Sequence, residues 1–400
     1  MTPPVTLGAM RPPATRDRRD RLRSALLTAV TVTMLAGCAF GAPSDTTGRP
    51  PNLPTSPRPS PTATAPGPTQ SPNVTAQVLT ENLAVPWGLD FLPDGSALVT
   101  ERDTHRILRV SPSGKATVVQ TIDVVGGGGE GGLMGLAVSP DYRTDKTVFV
   151  YYTTDTDNRI AKLVLGQRPV PILTGIPAGQ RTHNGGRIAF GPDGYLYAGT
   201  GDAGRPLNSQ NPLSLGGKIL RMTKDGKPAP GNPIRGSVVW SMGHRNIQGL
   251  AWDARKRLYA TEFGQNRYDE LNLITPGRNY GWPTVEGLGR VRRFADPLVT
   301  WTTAQASPSG VAIAGGTAVV ACLRGERLYA VDLDSRTGRV TGKPQALLEG
   351  EYGRLRTIVE APDGSLWVTT SNRDGRGTPQ PGDDRILRIV SPGGGGVSPL

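Results

Sequence analysis

The sequence predicts an all-β fold, a six-bladed β-propeller of four-stranded antiparallel blades, and three observations carry that prediction. The first is composition. Glycine (53) and proline (37) approach a quarter of the 400 residues, while 36% are hydrophobic and 6% aromatic. Such a chain disfavours long helices and suits short strands joined by tight turns. The second is a repeat, an x-Pro-Asp-Gly-type turn followed by a β-rich run. It occurs at LPDGSALVTER, SPDYRTDKTVFVYYT, GPDGYLYAGTGD, WDARKRLYATEFG and APDGSLWVTTSNRDG, with the aspartates at 94, 141, 193, 253 and 363. Proline fixes φ, aspartate caps the turn and glycine supplies φ > 0. Successive gaps of 47, 52, 60 and 110 residues leave room for one degenerate copy near SPSGVAIAGGTAVVACLRGERLYAVDL, which makes six blades. The third is period-2 alternation, as in RILRV and RLYAVDL, which marks strands. A long β-sandwich array is the architectural alternative; the glycine and proline content excludes a helical solenoid.

Ahead of the propeller, Arg16 to Arg23 form a basic run, followed by the apolar stretch SALLTAVTVTMLAGC. The stretch is short for a bilayer span and suits an export signal. Its end, Leu35-Ala36-Gly37-Cys38, resembles the lipobox of bacterial lipoproteins, in which the cysteine is lipidated after cleavage. Residues 1–37 are therefore expected to be a lipoprotein-type signal peptide. Residues 38–73, rich in Pro, Thr and Ser, bury too little to order themselves and are expected to tether lipidated Cys38 to the folded part. The propeller is expected over 74–392, with a flexible tail over 393–400. The protein is thus expected outside the cytoplasm, touching the membrane only through the lipid.

The formal charge is +12, of which 74–400 carry +7, since 1–37 hold six Arg against two Asp and 39–73 hold two Arg against one Asp. No basic run is interleaved with aromatics, which argues against nucleic-acid binding. Cys322 lies in the strand-like TAVVACL and reads as a buried small hydrophobe; with Cys38 the only other cysteine, no disulfide framework is implied. No zinc-type His/Cys spacing, P-loop or Rossmann fingerprint is present.

Candidate chemistry lies on loops. His105, in ERDTHRILRV, reads as a surface or turn residue. His183 opens HNGGRIAFGPDG and His244 sits in SMGHRNIQGLAW, each before a strand. A loop histidine is either a hydrogen-bonding turn residue or a proton acceptor; the glycines beside His183 allow close approach of a ligand, which suits the second role. Glu262, Asp269 and Glu270, in EFGQNRYDELNLITPGRNYGWP, are hard oxygen donors of the type that suits Ca²⁺, or else solvated acids at a blade edge. Arg245, Arg324, Arg354 and Arg356 also recur at loop positions. The last two project to one face of a strand, where they repel unless an anion such as a planar di- or tricarboxylate lies between them.

The segments GLMGLAVSPDY, HNGGRIAFGPDGYLYAGTGD, GGKILRM, SMGHRNIQGLAW, TEFGQNRYDELNLITPGRNYGWP and RLRTIVEAPDGSLWVTT occur in the order seen in soluble quinoprotein glucose/sorbosone dehydrogenases. The chain resembles that family over residues 78–391, most of all its aldose sugar dehydrogenase branch. The resemblance implies pyrroloquinoline quinone (PQQ) over the channel of a six-bladed propeller, with Ca²⁺ against the quinone. By match to H-x-G-G-R, His183 would take the proton of a sugar's C1 hydroxyl while hydride leaves C1, giving a lactone. Asp202, in GTGD, would orient that histidine. Arg245, in GHRN, would stabilise charge on the cofactor, and Asn246 would contact it. Arg324, Arg354 and Arg356 would hold its carboxylates. Gly264 and Gln265 would ligate the cofactor's calcium through their carbonyls, and Asp269, Glu270 and Tyr280 would form a second calcium site.

There are departures from the family pattern. At a cofactor-facing position, Glu130 replaces the glutamine of G-Q-x-G-L-L-G, and its carboxylate would repel an anionic cofactor. Arg324 replaces a lysine, Gln265 a proline, and Thr182 an aspartate of the glucose-specific branch, so glucose is not singled out as substrate. The partners expected are a small sugar and an external electron acceptor. A calcium-dependent lactonase-type hydrolase and a non-catalytic propeller binding carbohydrate or protein are the alternatives.

Overall fold

In the Pro-Asp-Gly turns the aspartate caps its own turn. Asp94, Asp193 and Asp363 accept the amides of Ser96, Tyr195 and Ser365 at 3.0, 3.2 and 3.0 Å. The glycines that follow, Gly95, Gly194 and Gly364, sit at φ of 83°, 78° and 79°. Each such turn joins the first and second strands of a blade, as between Pro86–Phe91 and Ala97–Glu101. The degenerate copy is the Gly315-Gly316 turn between Pro308–Ala314 and Thr317–Cys322.

The computed structural model describes residues 74–123 and 128–390. The signal peptide, Cys38, the tether and the 393–400 tail expected from sequence lie outside the described residues. Six four-stranded antiparallel sheets form the predicted propeller. Helix is confined, among the described residues, to Tyr142–Asp145 and Leu207–Gln210. The innermost strands are Pro86–Phe91, Leu133–Val138, Arg187–Phe190, Ile247–Trp252, Pro308–Ala314 and Leu355–Glu360, each packed on the next, the last on the first. Ala76–Thr80 pairs with Ile386–Ile389 and completes the last blade from the other end of the chain. Inner strands touch so closely that a Cβ on Gly88 would lie 2.7 Å from the Leu136 amide nitrogen, and one on Gly310 equally near that of Ile358. Apolar side chains from adjacent blades fill the wedges, as where Trp87, Met134, Phe149, Tyr151 and Ile188 pack together.

Antiparallel pairing brings the starts of inner strands and the ends of second strands to one mouth of the channel. The Pro-Asp-Gly turns gather at the other, around a cavity of about 610 Å³ lined by Phe91, Phe190, Trp252 and Asp90. Between the two mouths the Arg187 guanidinium stacks 4.4 Å from the Trp87 ring centre and donates to the Gln248 carbonyl (2.7 Å) and Thr357 Oγ1 (2.9 Å).

Asp90 accepts the amides of Phe91 (2.8 Å) and Val138 (2.7 Å), yet burial pushes its pKa up to about 6. The folded state therefore holds a proton that the unfolded chain releases from about pH 4 upward, and stability falls across that window until both states are ionised. Asp90→Asn is expected to flatten the decline in melting temperature between about pH 4 and 6, as measured by calorimetry at several pH values.

Candidate active site

The mouth formed by strand starts opens into a cavity of about 1200 Å³. His183 lies on its wall, on the loop leading into the inner strand Arg187–Phe190. Its φ of 61° is one that side-chain-bearing residues adopt only when neighbours fix it. Three contacts do so. Its carbonyl accepts the Ala203 amide at 3.1 Å, its amide donates to Glu130 Oε2 at 2.8 Å, and its Nδ1 lies 2.6 Å from Asp202 Oδ1. Asp202 is fully buried; it also accepts the Gly204 amide (2.8 Å) and Trp282 Nε1 (2.8 Å). An ionised carboxylate can only accept, so Nδ1 carries the proton of the neutral ring and Nε2 is left as an acceptor on a residue lining the cavity.

Arg245, Arg324, Arg354 and Arg356 line the same cavity. Arg245 Nη1 donates to the Phe263 carbonyl (3.2 Å), its guanidinium lies 5.6 Å from the Trp282 ring centre, and its buried Nε has no partner among the described residues. Burial lowers its pKa, nearby Asp202 and Glu130 offsetting part of the effect. Arg324 is exposed at the rim. Arg354 and Arg356 do project together, and the anion between them belongs to the protein: both donate to Asp374 Oδ2, at 2.9 and 3.1 Å. Arg356 also donates to Ser371 Oγ (2.9 Å), and burial pulls its pKa down to about 10 against the pull of Asp374. Asp374 is one carboxylate against two guanidinium groups.

Three expectations require correction. Asn246 does not line the cavity. It is fully buried behind the wall, its Oδ1 accepting the Gly185 amide (2.9 Å) and its Nδ2 unpartnered among the described residues. The Glu130 carboxylate does not stand bare before a cofactor; it holds the His183 amide and pairs with Arg376 at 3.0 Å. Asp269 and Glu270 do not converge with Tyr280 on one ion. They are consecutive in the strand Tyr268–Ile274, so their side chains leave opposite faces. Asp269 faces the cavity and accepts the amides of Gly264 (2.8 Å) and Ser307 (2.7 Å). Glu270 turns the other way, to the Gly287 amide (2.7 Å) and Asn272 (2.9 Å). Burial, reinforced for Glu270 by the Glu262 charge, pushes these carboxyls up to about 6 and about 8. The Tyr280 hydroxyl donates to the Leu273 carbonyl (2.7 Å), and its ring stacks on His244. His244 is fully buried between Ser241 Oγ and Glu262 Oε2, each 2.8 Å away. Glu262 also accepts the Arg245 amide at 2.5 Å, so this buried relay fixes the loop that presents Arg245.

Gly264 and Gln265 lie on the cavity wall. The amides of residues 265–268 all turn inward to Glu286 Oε1 (2.8 to 3.1 Å), which holds that carboxyl below its usual pKa despite burial. Among the described residues the carbonyls of Gly264 and Gln265 accept no hydrogen bond, so both oxygens are available to a hard cation. His105, read as a turn residue, has φ of 57° and also borders the cavity. Sequence reasoning missed Asp374, Glu286, Trp282 and Arg376. Trp282 lay inside the quoted segment ending NYGWP and Asp374 inside the repeat APDGSLWVTTSNRDG, but none of the four carried a spacing signal.

A propeller whose channel mouth joins a carboxylate-oriented histidine to clustered arginines is a catalytic scaffold for an anionic ligand. The family model for glucose/sorbosone dehydrogenase matches residues 83–387, and the chain belongs to that family. The PQQ-bound aldose sugar dehydrogenase of Streptomyces coelicolor is 51% identical, with a TM-score of 0.76, covering 80% of this chain and 99% of its own. Quinoprotein glucose dehydrogenase B of Acinetobacter calcoaceticus is 34% identical over 259 residues, 54% of each chain. An aldose sugar dehydrogenase of Escherichia coli is 25% identical over 346 residues, 76% of this chain and 91% of its own.

The geometry makes a spectroscopic prediction. In ¹⁵N-resolved spectra at a pH where the ring is neutral, His183 is expected as the Nδ1–H tautomer with a proton slow to exchange. Asp202→Ala should abolish that slow proton; its persistence would contradict the pairing.

Proposed function

We propose that this chain oxidises aldose sugars at C1 to lactones in a PQQ- and calcium-dependent reaction. The observation that carries the reading is the sharing of one cavity by the His183–Asp202 pair and the arginines Arg245, Arg324, Arg354 and Arg356. PQQ is a planar polycarboxylate, and the residues present fit it: buried guanidinium groups exceed their carboxylate partner, and Arg245 Nε has no partner among the described residues. Arg324, Arg354 and Arg356 would hold its carboxylates, while the carbonyls of Gly264 and Gln265 would hold the calcium. When bound, PQQ supplies the two-electron acceptor for the C1 hydride.

The protein does the rest. His183 Nε2 takes the proton of the C1 hydroxyl, and the imidazolium so formed is held by Asp202, whose burial and bonds from Gly204 and Trp282 keep the ring in one orientation. Arg245 places fixed positive charge in a partly desolvated position, where it counts for more than in water. Loss of proton and hydride from the same carbinol leaves the lactone. Electrons then pass to an external acceptor. The basic run, apolar stretch and Cys38 ahead of the propeller support a lipid-anchored protein working outside the cytoplasm.

Purified apoprotein supplied with PQQ and Ca²⁺ is expected to show dye-linked oxidation of at least one aldose, and His183→Ala to lower kcat by about 10² to 10⁴. Bound cofactor with no oxidation of any aldose would refute the proposal.

A further inference from the structure

Two charged residues of the cavity have no part in the chemistry above. Glu130 grips the histidine loop at two points: its amide donates to the Arg181 carbonyl (3.0 Å) and its Oε2 accepts the His183 amide (2.8 Å). The two segments lie so close that a Cβ on Gly129 would fall 2.3 Å from the Arg181 carbonyl oxygen. The residue they hold, His183, has the left-handed φ of 61° that persists only where its surroundings over-determine it. The other Glu130 oxygen pairs with Arg376 Nη2 at 3.0 Å. Arg376 stands two residues after Asp374, whose Oδ1 accepts the Arg376 amide (3.0 Å) and whose Oδ2 holds Arg354 and Arg356. One path of hydrogen bonds and ion pairs therefore runs from the arginine pair, through Asp374 and Arg376, to Glu130 and the backbone of the histidine.

We infer that Glu130 is a positioning residue for His183, with Arg376 as its charge partner, and that the acid serves the base and not the cofactor. The inference deepens the dehydrogenase reading and rests on it. An acceptor for the His183 amide is all that positioning requires, and glutamine supplies one. The negative charge is needed only for Arg376. Glu130→Gln is then a conservative variant, while Glu130→Ala frees the amide and the loop. Misplacing a general base by an ångström is enough to slow a reaction by about two orders of magnitude without touching substrate affinity.

The test has two parts. In cofactor-free protein, hydrogen–deuterium exchange at the His183 amide is expected to quicken in Glu130→Ala and to stay slow in Glu130→Gln. In protein loaded with PQQ and Ca²⁺, Glu130→Ala is expected to lower kcat by about 10- to 100-fold, with the aldose KM and the PQQ Kd within roughly threefold of wild type. Glu130→Gln should restore kcat to within roughly threefold, and Arg376→Ala, which keeps the Glu130 acceptor, should stay within the same range. Unchanged exchange in Glu130→Ala would overturn the inference. So would a loss confined to PQQ affinity, which would assign Glu130 to the cofactor, or a Glu130→Gln variant as slow as Glu130→Ala. An inactive wild type would instead remove the dehydrogenase reading, and the exchange result on cofactor-free protein would still decide whether Glu130 holds the histidine.

Discussion

Guanidinium groups buried side by side repel, and the channel mouth is organised around that repulsion. Arg187 and Arg356 both lie against the Trp87 ring, 4.4 and 5.8 Å from its centre. Burial, together with the Arg356 charge, pulls Arg187 down to a pKa of about 9. Asp374 neutralises part of the excess at Arg354 and Arg356, and the quadrupole of Trp87 a little more. What is left is a desolvated positive field with an unpartnered donor, Arg245 Nε, among the described residues; in the proposed function a multiply charged planar anion relieves it. His183 sits at the margin of this field, where the Asp202 carboxylate shields it.

Trp282 links the two halves. Its Nε1 donates to Asp202, the residue that orients the histidine, and its ring lies beneath Arg245. The backbone repeats the connection, since the Asp202 amide donates to the Arg245 carbonyl at 2.8 Å. His183 and Arg245 are thus set relative to one another by residues from neighbouring blades, so that moving one blade edge disturbs both. Across the mouth, Glu286 gathers four successive amides and leaves the Gly264 and Gln265 carbonyls without a donor among the described residues, the two oxygens that the proposed calcium would use.

The six blades were legible because each Pro-Asp-Gly turn is chemically self-contained: Asp94 caps Ser96, and Gly95 takes the positive φ, within five residues. His183 and Asp202 were legible through motifs that the fold uses locally. The pairing of Arg354 and Arg356 with Asp374 was not, because it crosses from one strand to a loop with no fixed spacing; the sequence showed that an anion was needed and did not show that Asp374 supplies one. The split between Asp269 and Glu270 followed from strand alternation and was obscured by reading them as one acidic cluster. Glu130 looked like a liability for an anionic cofactor because Arg376, nearly 250 residues away, was invisible to a local reading.

The central claim is that the channel arginines bind a planar polyanion. Calorimetric titration of PQQ, with Ca²⁺ present, into wild-type apoprotein and into Arg354→Gln and Arg356→Gln tests it most directly. Saturable binding is expected at one site per chain, weakening about tenfold or more in each variant and loosening with added salt. Equal affinity in all three proteins, or binding indifferent to ionic strength, would contradict it.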